Sequence, residues 1–381
     1  MAARLRLGMI GGGRGAFIGA VHRMASRLDD RYELVAGAFS SDAQRSRDSG
    51  ADLHLASDRC YATLEEMVSR ERQRADRVDA IAIVTPNHLH YRAAKLCLDA
   101  GFHVICDKPL TTTLEDAEDL VSTAESVRRV FAVTYNYSGY PLVRQARQMI
   151  AEGLLGDLRV AQIEYAQDWL ATDLETAGNK QAAWRVDPQR SGVAGAIGDI
   201  GTHAFHLAEF ITGVQVAKLA ADLSTQVTGR RLDDNGQMLL RFANGASGSL
   251  WASQVAPGNE NGLRVRLYGS KAGIEWSQEH PNQLRFAPLG EQPRFITRGG
   301  AGLGRSATAA SRVPSGHPEG YIEAFAQIYS DTADLILAAN QGRAAGEGAL
   351  LVPTVSDGLR GVRFIHAAVE SSRRDAAWTN I

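Results

Sequence analysis

The chain has 381 residues, with 41 Lys and Arg against 43 Asp and Glu, a formal charge of -2 and 44% hydrophobic residues. That length exceeds what one core usually fills, so two domains are expected, and the balanced charge with no long run of one sign favours neither nucleic acid nor an anionic membrane as partner. Three cysteines (Cys60, Cys97, Cys106) are too few and too ill-spaced for a disulfide framework or a zinc site, and there is no long apolar leader or span, so a cytoplasmic protein with a small-molecule partner is expected.

To about residue 134, short β-rich runs alternate with helical patterns, the signature of a parallel sheet wound with helices. "RLGMIG", "ELVAGAF", "VDAIAIVT", "HVICDKP" and "VFAVTY" read as strands. "FIGAVHRMASRL", "DAQRSRDSGADL", "HLHYRAAKLCLDAG" and "LEDAEDLVSTAESV" read as helices between them. From residue 135 longer alternating runs are joined by Gly and Asn turns, as in "LRVAQIEYAQDWL", "GQMLLRFANGASGSLWASQV" and "GLRVRLYGSKAGIEWSQ". These predict a large, mostly antiparallel sheet with "FANGAS" as its clearest hairpin. Helices return in "EGYIEAFAQIYSDTADLILAA" and "TVSDGLRGVRFIHAAVESSRR", after a Gly, Ser and Arg-rich stretch, 298–316, that reads as a mobile loop or lid. The expected fold is α/β: a doubly wound Rossmann domain over 1–134 and an α/β substrate-binding and oligomerisation domain over 135–381.

The turn after the first strand, "GMIGGGRGAFIG", has the strand–turn–helix context in which glycines admit a pyrophosphate to backbone amides at a helix N-terminus. Gly11, Gly13 and Ala16 fit G-x-G-x-x-A, Phe17 and Ile18 follow at the turn, and Gly19 stands where a longer turn would deliver the third glycine. At the end of the second strand, "AFSSDAQRSR" places Ser40 where an acid reading the adenosine ribose usually stands, with Arg45 one turn on. This leans towards NADP over NAD, with Asp42 as the ribose reader if the register shifts by two.

"GAIGDIGTHAFHLAEF" sets Asp199, His203, His206 and Glu209 at the start of a helix. Asp199 and His203 are spaced i,i+4 and are expected to share one face, suiting acid/base work on a substrate hydroxyl. A metal set of Asp199, His203 and His206 is the lesser reading, because the offset turns His206 partly away and no H-E-x-x-H or cysteine pattern supports it. His206 and Glu209 read as structural, as do His22 and His90 on helices of the first domain.

Taken in order, "AIVTPNHLHYRAA", "VICDKPLTTTLEDAEDL" and "AAWRVDPQRSGVAGAIGDIGTHAFHL" resemble the signatures of the glucose-fructose oxidoreductase, inositol dehydrogenase and rhizopine catabolism family, written Gfo/Idh/MocA, over nearly the whole chain. The resemblance implies that Asp107, Lys108 and Pro109 match the family's E-K-P, with Lys108 beside the nicotinamide and Asp one methylene shorter than the usual Glu. It implies that Asp199 and His203 match D-x-x-x-H, with His203 the acid/base. Trp184 and Arg185 match the family's W-R pair near the cofactor, and Thr85, Pro86, Asn87 and His90 match T-P-N-x-x-H at its edge. Lys108, Asp199 and His203 are thus the catalytic candidates.

Chemistry agrees with that assignment. Oxidising a secondary alcohol needs a base near neutrality and a cation for the developing alkoxide, roles that suit His203 and Lys108. Tyr137 at the domain crossover, Asp168 beside Trp169, and His317 after the Gly-rich stretch are further substrate-side candidates, with turn or core roles as their alternatives. The function expected is NAD(P)-dependent hydride transfer at a secondary alcohol of a sugar, glycoside or inositol, without metal, in a homodimer or homotetramer as the resemblance implies. A cofactor-retaining glycosidase or lyase of the same fold and a non-catalytic dinucleotide-binding regulator are the rival readings. Lys108, Asp199 and His203 argue against the regulator.

Overall fold

The computed structural model describes residues 4–381. The chain forms two compact units, Met1–Gly139 with Tyr321–Leu359, and Tyr140–Gly320 with Arg360–Ile381. In the first, β1 (Leu5–Gly11), β2 (Tyr32–Ala38), β3 (Ala80–Val84), β4 (His103–Cys106) and β5 (Phe131–Val133) make a parallel sheet in the order β2-β1-β3-β4-β5. Every residue of β3 and β4 is buried, as continuous apolar strands covered on both faces require. Helices α1 (Phe17–Leu28), α2 (Ala43–Asp52), α3 (Leu64–Gln73), α4 (His90–Asp99) and α5 (Leu114–Val127) alternate with the strands. Thr63 and Thr113 cap α3 and α5, their side chains accepting from the N–H groups of Glu66 and Asp116. Beyond β2, among the described residues, the sheet gains a single bridge, Gly37 with Cys60. The strand order therefore reverses between β1 and β3, and their C-terminal ends, Gly11 paired with Val84, form the switch point where such sheets take ligands.

The second unit begins with α6 (Pro141–Ala151) and β6 (Leu158–Ala166), followed by α7 (Lys180–Arg185), α8 (Pro188–Ser191) and α9 (Thr202–Thr212). Strands β7 (Val216–Ser224), β8 (Asn235–Phe242), β9 (Ser247–Ser253), β10 (Gly262–Gly269), β11 (Ala272–Ser277), β12 (Gln283–Pro288), β13 (Arg294–Thr297) and β14 (Thr379–Asn380) complete a nine-stranded sheet. Its order is β13-β12-β11-β10-β6-β9-β8-β7-β14, antiparallel except for β6 with β9. The β8–β9 hairpin turns at "FANGAS", where Gly245 takes φ +89°. Alternation sorts the strands: Ala161, Ile163, Leu240, Leu250, Leu263 and Leu267 are buried, and α9 packs on β6, β9 and β10. On the other face Val160 and Tyr268 stand directly opposite each other and exposed, as does Leu239 two strands away.

The expected division at residue 134 changes. The helix α11 (Tyr321–Asn340) belongs to the first unit rather than to everything after residue 134, because Phe325, Ala326, Tyr329, Ala333 and Ile336 join Leu5, Leu7, Met9, Val21 and Ala25 in one buried cluster. Helix α12 (Val355–Arg373) passes from the first unit to the second after Leu359. The stretch 298–316, expected as a mobile loop or lid, is built on a buried ion pair. Arg298 Nη1 donates to Glu319 Oε1 at 2.8 Å and its other nitrogens reach Asn282 Oδ1 and the carbonyls of Pro314 and His317, while Glu319 accepts the N–H groups of Arg312 and Val313. Within it α10 (Arg305–Ala309) packs on α6, and the Gly304 N–H donates to Gln145 Oε1 at 2.8 Å.

Candidate active site

The glycine turn shows why these positions carry no side chain. Gly11 and Gly12 take φ of +82° and +71°, and Cβ atoms there would lie 2.9 Å from the Val84 oxygen and 2.7 Å from Val84 Cγ2. A Cβ on Gly19 would sit 2.4 Å from Gly12 Cα, so close packing of helix on strand falls to Gly19, while Ala16 is the N-cap of α1. Gly13 N–H donates to the Phe39 carbonyl, Ile18 packs on the unit's core and Phe17 is exposed. Beside the turn the Thr85 hydroxyl is buried with no partner among the described residues, and Pro86 opens a short 3-10 turn over Asn87–Leu89 with Asn87 buried. A helix N-terminus without a side-chain cap, a backbone that tolerates no Cβ and an unsatisfied hydroxyl at the switch point fit a dinucleotide. Past β2, Ser40 Oγ accepts from Asp42 N–H (3.1 Å), and Asp42 Oδ1 accepts from Arg45 N–H (2.7 Å) as the N-cap of α2. Asp42 thus carries a helix cap, and the Arg45 side chain is exposed on the first turn.

Lys108 follows β4, half-buried. Its neighbour Asp107 turns to Thr134, whose hydroxyl donates to Oδ1 at 2.5 Å, and to His22 Nε2 at 3.3 Å. Burial raises the Asp107 carboxyl, but the charge and hydrogen bond of His22 and the Thr134 hydroxyl outweigh it and hold it down at about 2. The shorter acid is therefore occupied in the core of its own unit. His90, expected at the cofactor's edge, is fully buried, its ring nitrogens 2.8 Å from the carbonyls of Pro109 and Thr85. Burial pushes its imidazole below the ordinary value, against the opposing charge of Asp107.

In the second unit the helix carrying Asp199 and His203 does not start as an α-helix. Ile197–Gly201 winds as a π-helix, the Thr202 N–H reaching the Ile197 carbonyl, and α9 begins at Thr202. The simple i,i+4 face is thereby interrupted; glycines at 195, 198 and 201 offer no side chain to oppose the wider turn. Asp233 fixes its entrance by accepting the N–H groups of Gly195 and Ile197, both at 2.8 Å, and a Cβ on Gly195 would meet the Asp233 carbonyl oxygen at 2.1 Å. Asp199 Oδ2 accepts from Arg185 Nε (3.1 Å) and Gln254 Nε2 (2.9 Å). Arg185 lies over Trp184 at 4.3 Å and Trp169 at 5.6 Å. The expected W-R pair thus braces the candidate carboxylate of this unit. His203 is buried with the Tyr165 ring 6.4 Å away, His206 stacks on Phe210, and Glu209 pairs with Arg360 at 2.6 Å.

The remaining candidates have structural contacts. Asp168 accepts the Gly258 N–H, Tyr137 is buried with the Tyr321 ring 6.3 Å away, and His317 is exposed with its carbonyl on Arg298. Gln254 and Asp233 were missed by the sequence reading. Nothing in "RRLDDNG" or "WASQV" links them to the turn over 195–201, because the contacts come from loop residues just before β8 and just after β9. Among the described residues no three His, Cys, Asp or Glu side chains are grouped to hold a metal ion, and no helix is long and apolar enough to cross a membrane.

Two family models match the chain: one described as "Oxidoreductase family, NAD-binding Rossmann fold" over residues 5–135, the other as "GFO/IDH/MocA C-terminal domain" over 143–275. An oxidoreductase structure from Sinorhizobium meliloti is 50% identical, covers 99% of both chains and superposes with a TM-score of 0.90. An inositol dehydrogenase homolog from Azotobacter vinelandii, complexed with NAD+, is 37% identical over 100% of this chain and 98% of that one, with a TM-score of 0.95. The levoglucosan dehydrogenase of Pseudarthrobacter phenanthrenivorans is 29% identical over 99% of this chain and 98% of its own length. The fold, the glycine turn and these matches together establish that the chain belongs to the Gfo/Idh/MocA family of oxidoreductases, with an NAD-binding Rossmann domain and the family's C-terminal domain.

Proposed function

We propose that the protein is an NAD(P)-dependent dehydrogenase acting on a secondary alcohol carbon of a sugar, glycoside or inositol. A bound nicotinamide dinucleotide supplies the hydride acceptor. His203 takes the hydroxyl proton as the carbonyl forms, and the Lys108 ammonium favours the developing alkoxide. Asp199, ionised against Arg185, holds its oxygens in a defined direction for the substrate hydroxyls. The observation that carries the reading is the braced carboxylate Asp199 one turn before a buried histidine, in a chain that also presents Lys108 beyond the sheet of a dinucleotide-binding unit. The inositol and levoglucosan enzymes among its relatives support the substrate class.

Within this reading NADP is mildly preferred to NAD, since Asp42 is engaged as a helix cap and Ser40 offers no charge against a 2′-phosphate. The NAD+ bound to the Azotobacter relative keeps NAD use within the proposal. Three free thiols support a reducing, cytoplasmic setting. Exposed Val160, Tyr268 and Leu239 on one sheet face support self-association as a homodimer or homotetramer.

The test is a panel of inositols, aldoses, anhydrosugars and glycosides followed by reduced-nicotinamide absorbance, with Lys108→Ala and His203→Ala alongside. Each variant is expected to lose about a hundredfold or more in turnover while still binding cofactor. Near-normal turnover in either removes the role assigned to that residue. Product formation without net reduced nicotinamide would instead identify a cofactor-retaining glycosidase or lyase.

A further inference from the structure

Lys108 is flanked by two residues whose polar atoms are held by buried histidines from different helices. On its N-terminal side, Asp107 Oδ1 meets His22 Nε2 of α1 at 3.3 Å, and His22 Nδ1 lies 2.7 Å from the Tyr329 hydroxyl of α11. His22 is wholly buried and Tyr329 nearly so, with Phe325 edge-on to the imidazole at 4.7 Å. An ionised Asp107 can only accept, so Nε2 carries the proton between them, and the Tyr329 hydroxyl pairs with Nδ1. On the C-terminal side, His90 of α4 has Nδ1 2.8 Å from the Pro109 carbonyl and Nε2 2.8 Å from the Thr85 carbonyl, and the tautomer protonated at Nδ1 donates to Pro109.

We propose that His22, with Tyr329 behind it, and His90 are positioning residues for Lys108. They tie Asp107 and Pro109 to α1 and α4 so that the lysine leaves the end of β4 in one direction. The same α1 whose N-terminus opens at the glycine turn therefore orients the lysine, an arrangement that ties cofactor seat and charge stabiliser to one rigid element. This rests on the assignment of Lys108 made above.

The test compares His22→Leu, which removes the N–H at similar bulk, with His22→Gln, which returns an N–H near Nε2, together with Tyr329→Phe, His90→Leu and Lys108→Ala. Turnover uses myo-inositol and levoglucosan as probe substrates, NADH affinity comes from fluorescence titration, and amide hydrogen exchange is followed over residues 106–112 of the free protein. His22→Leu and His90→Leu are expected to lower kcat about tenfold to a hundredfold, with NADH Kd changed less than about threefold and faster exchange over 106–112. His22→Gln should regain most of the loss. If His22→Leu does not fold, Tyr329→Phe carries the test with a smaller change of the same kind. Folded variants with unaltered kcat and exchange, or a loss that His22→Gln leaves uncorrected, overturn the proposal. Unimpaired Lys108→Ala overturns the role of the lysine instead, and the exchange measurement then still decides whether the histidines order its segment.

Discussion

The two units place their chemical groups by opposite means. In the first, the glycine turn, Thr85 and Lys108 follow the ends of β1, β3 and β4, where parallel topology delivers loops, and the backbone itself does the positioning. In the second, Asp199 sits in a π-turn that topology does not require, and it is held by side chains: Asp233 at the entrance, Arg185 and Gln254 at the carboxylate. A backbone-built site is broken by a Cβ; a side-chain-built site is broken by removing a partner.

The largest effect should come from Gly19→Val in the first unit, since its Cβ would overlap the Gly12 backbone. We expect about 3 kcal/mol or more of destabilisation and a loss of NADH affinity of about a hundredfold, by thermal unfolding and fluorescence titration. A variant that binds NADH normally would show that the turn is not backbone-limited.

Acid should weaken the first unit through His103. Val130 N–H donates to its Nδ1 at 2.9 Å, and burial, then Arg129, lowers its imidazole to about 4. Below about pH 6.5 the unfolded chain takes up a proton that the native ring refuses, so stability falls with decreasing pH until the native ring protonates near 4. The loss over that window is on the order of 3 kcal/mol, and His103→Gln should flatten this part of a denaturation series between pH 7.5 and about 4. An unchanged slope in the variant would remove His103 as its source.

In the second unit, Asp233→Ala strips the acceptor from two N–H groups, costing about 1–3 kcal/mol. Turnover should fall about tenfold while NADH affinity stays within about twofold, with Asp233→Asn between. Equal loss of cofactor affinity would erase the contrast between the units. Smallest is Ser40→Asp, which should shift preference towards NAD about tenfold, chiefly through a higher KM for NADP. If the unmodified enzyme uses NAD far better than NADP, Asp42 reads the ribose despite its capping role.

Much of this was legible in the sequence, unevenly. The five parallel strands and the glycine turn lie where period and composition put them, since buried parallel strands need apolar runs and a tight turn needs glycine. The "FANGAS" hairpin was equally plain. The anchoring of segment 298–316 by Arg298 was not legible in its composition, and the helix over 197–212 was read with a uniform period that the π-turn breaks. Arg185 was paired with Trp184 by motif, and its contact with Asp199 came only from the fold.

What the amino-acid sequence by itself determined were the properties that neighbouring residues impose on one another: strand and helix alternation, the cofactor turn, and the candidates Lys108, Asp199 and His203. Tertiary structure alone decided what those candidates touch. His22 with Asp107 and Tyr329, Asp233 with the π-turn, Gln254 with Asp199, and α11 with β1 and α1 are contacts between segments far apart in the chain. Each answers the same physical demand, that a buried polar atom find a partner or an apolar face find cover, and only the folded chain brings the candidates for that partnership within reach.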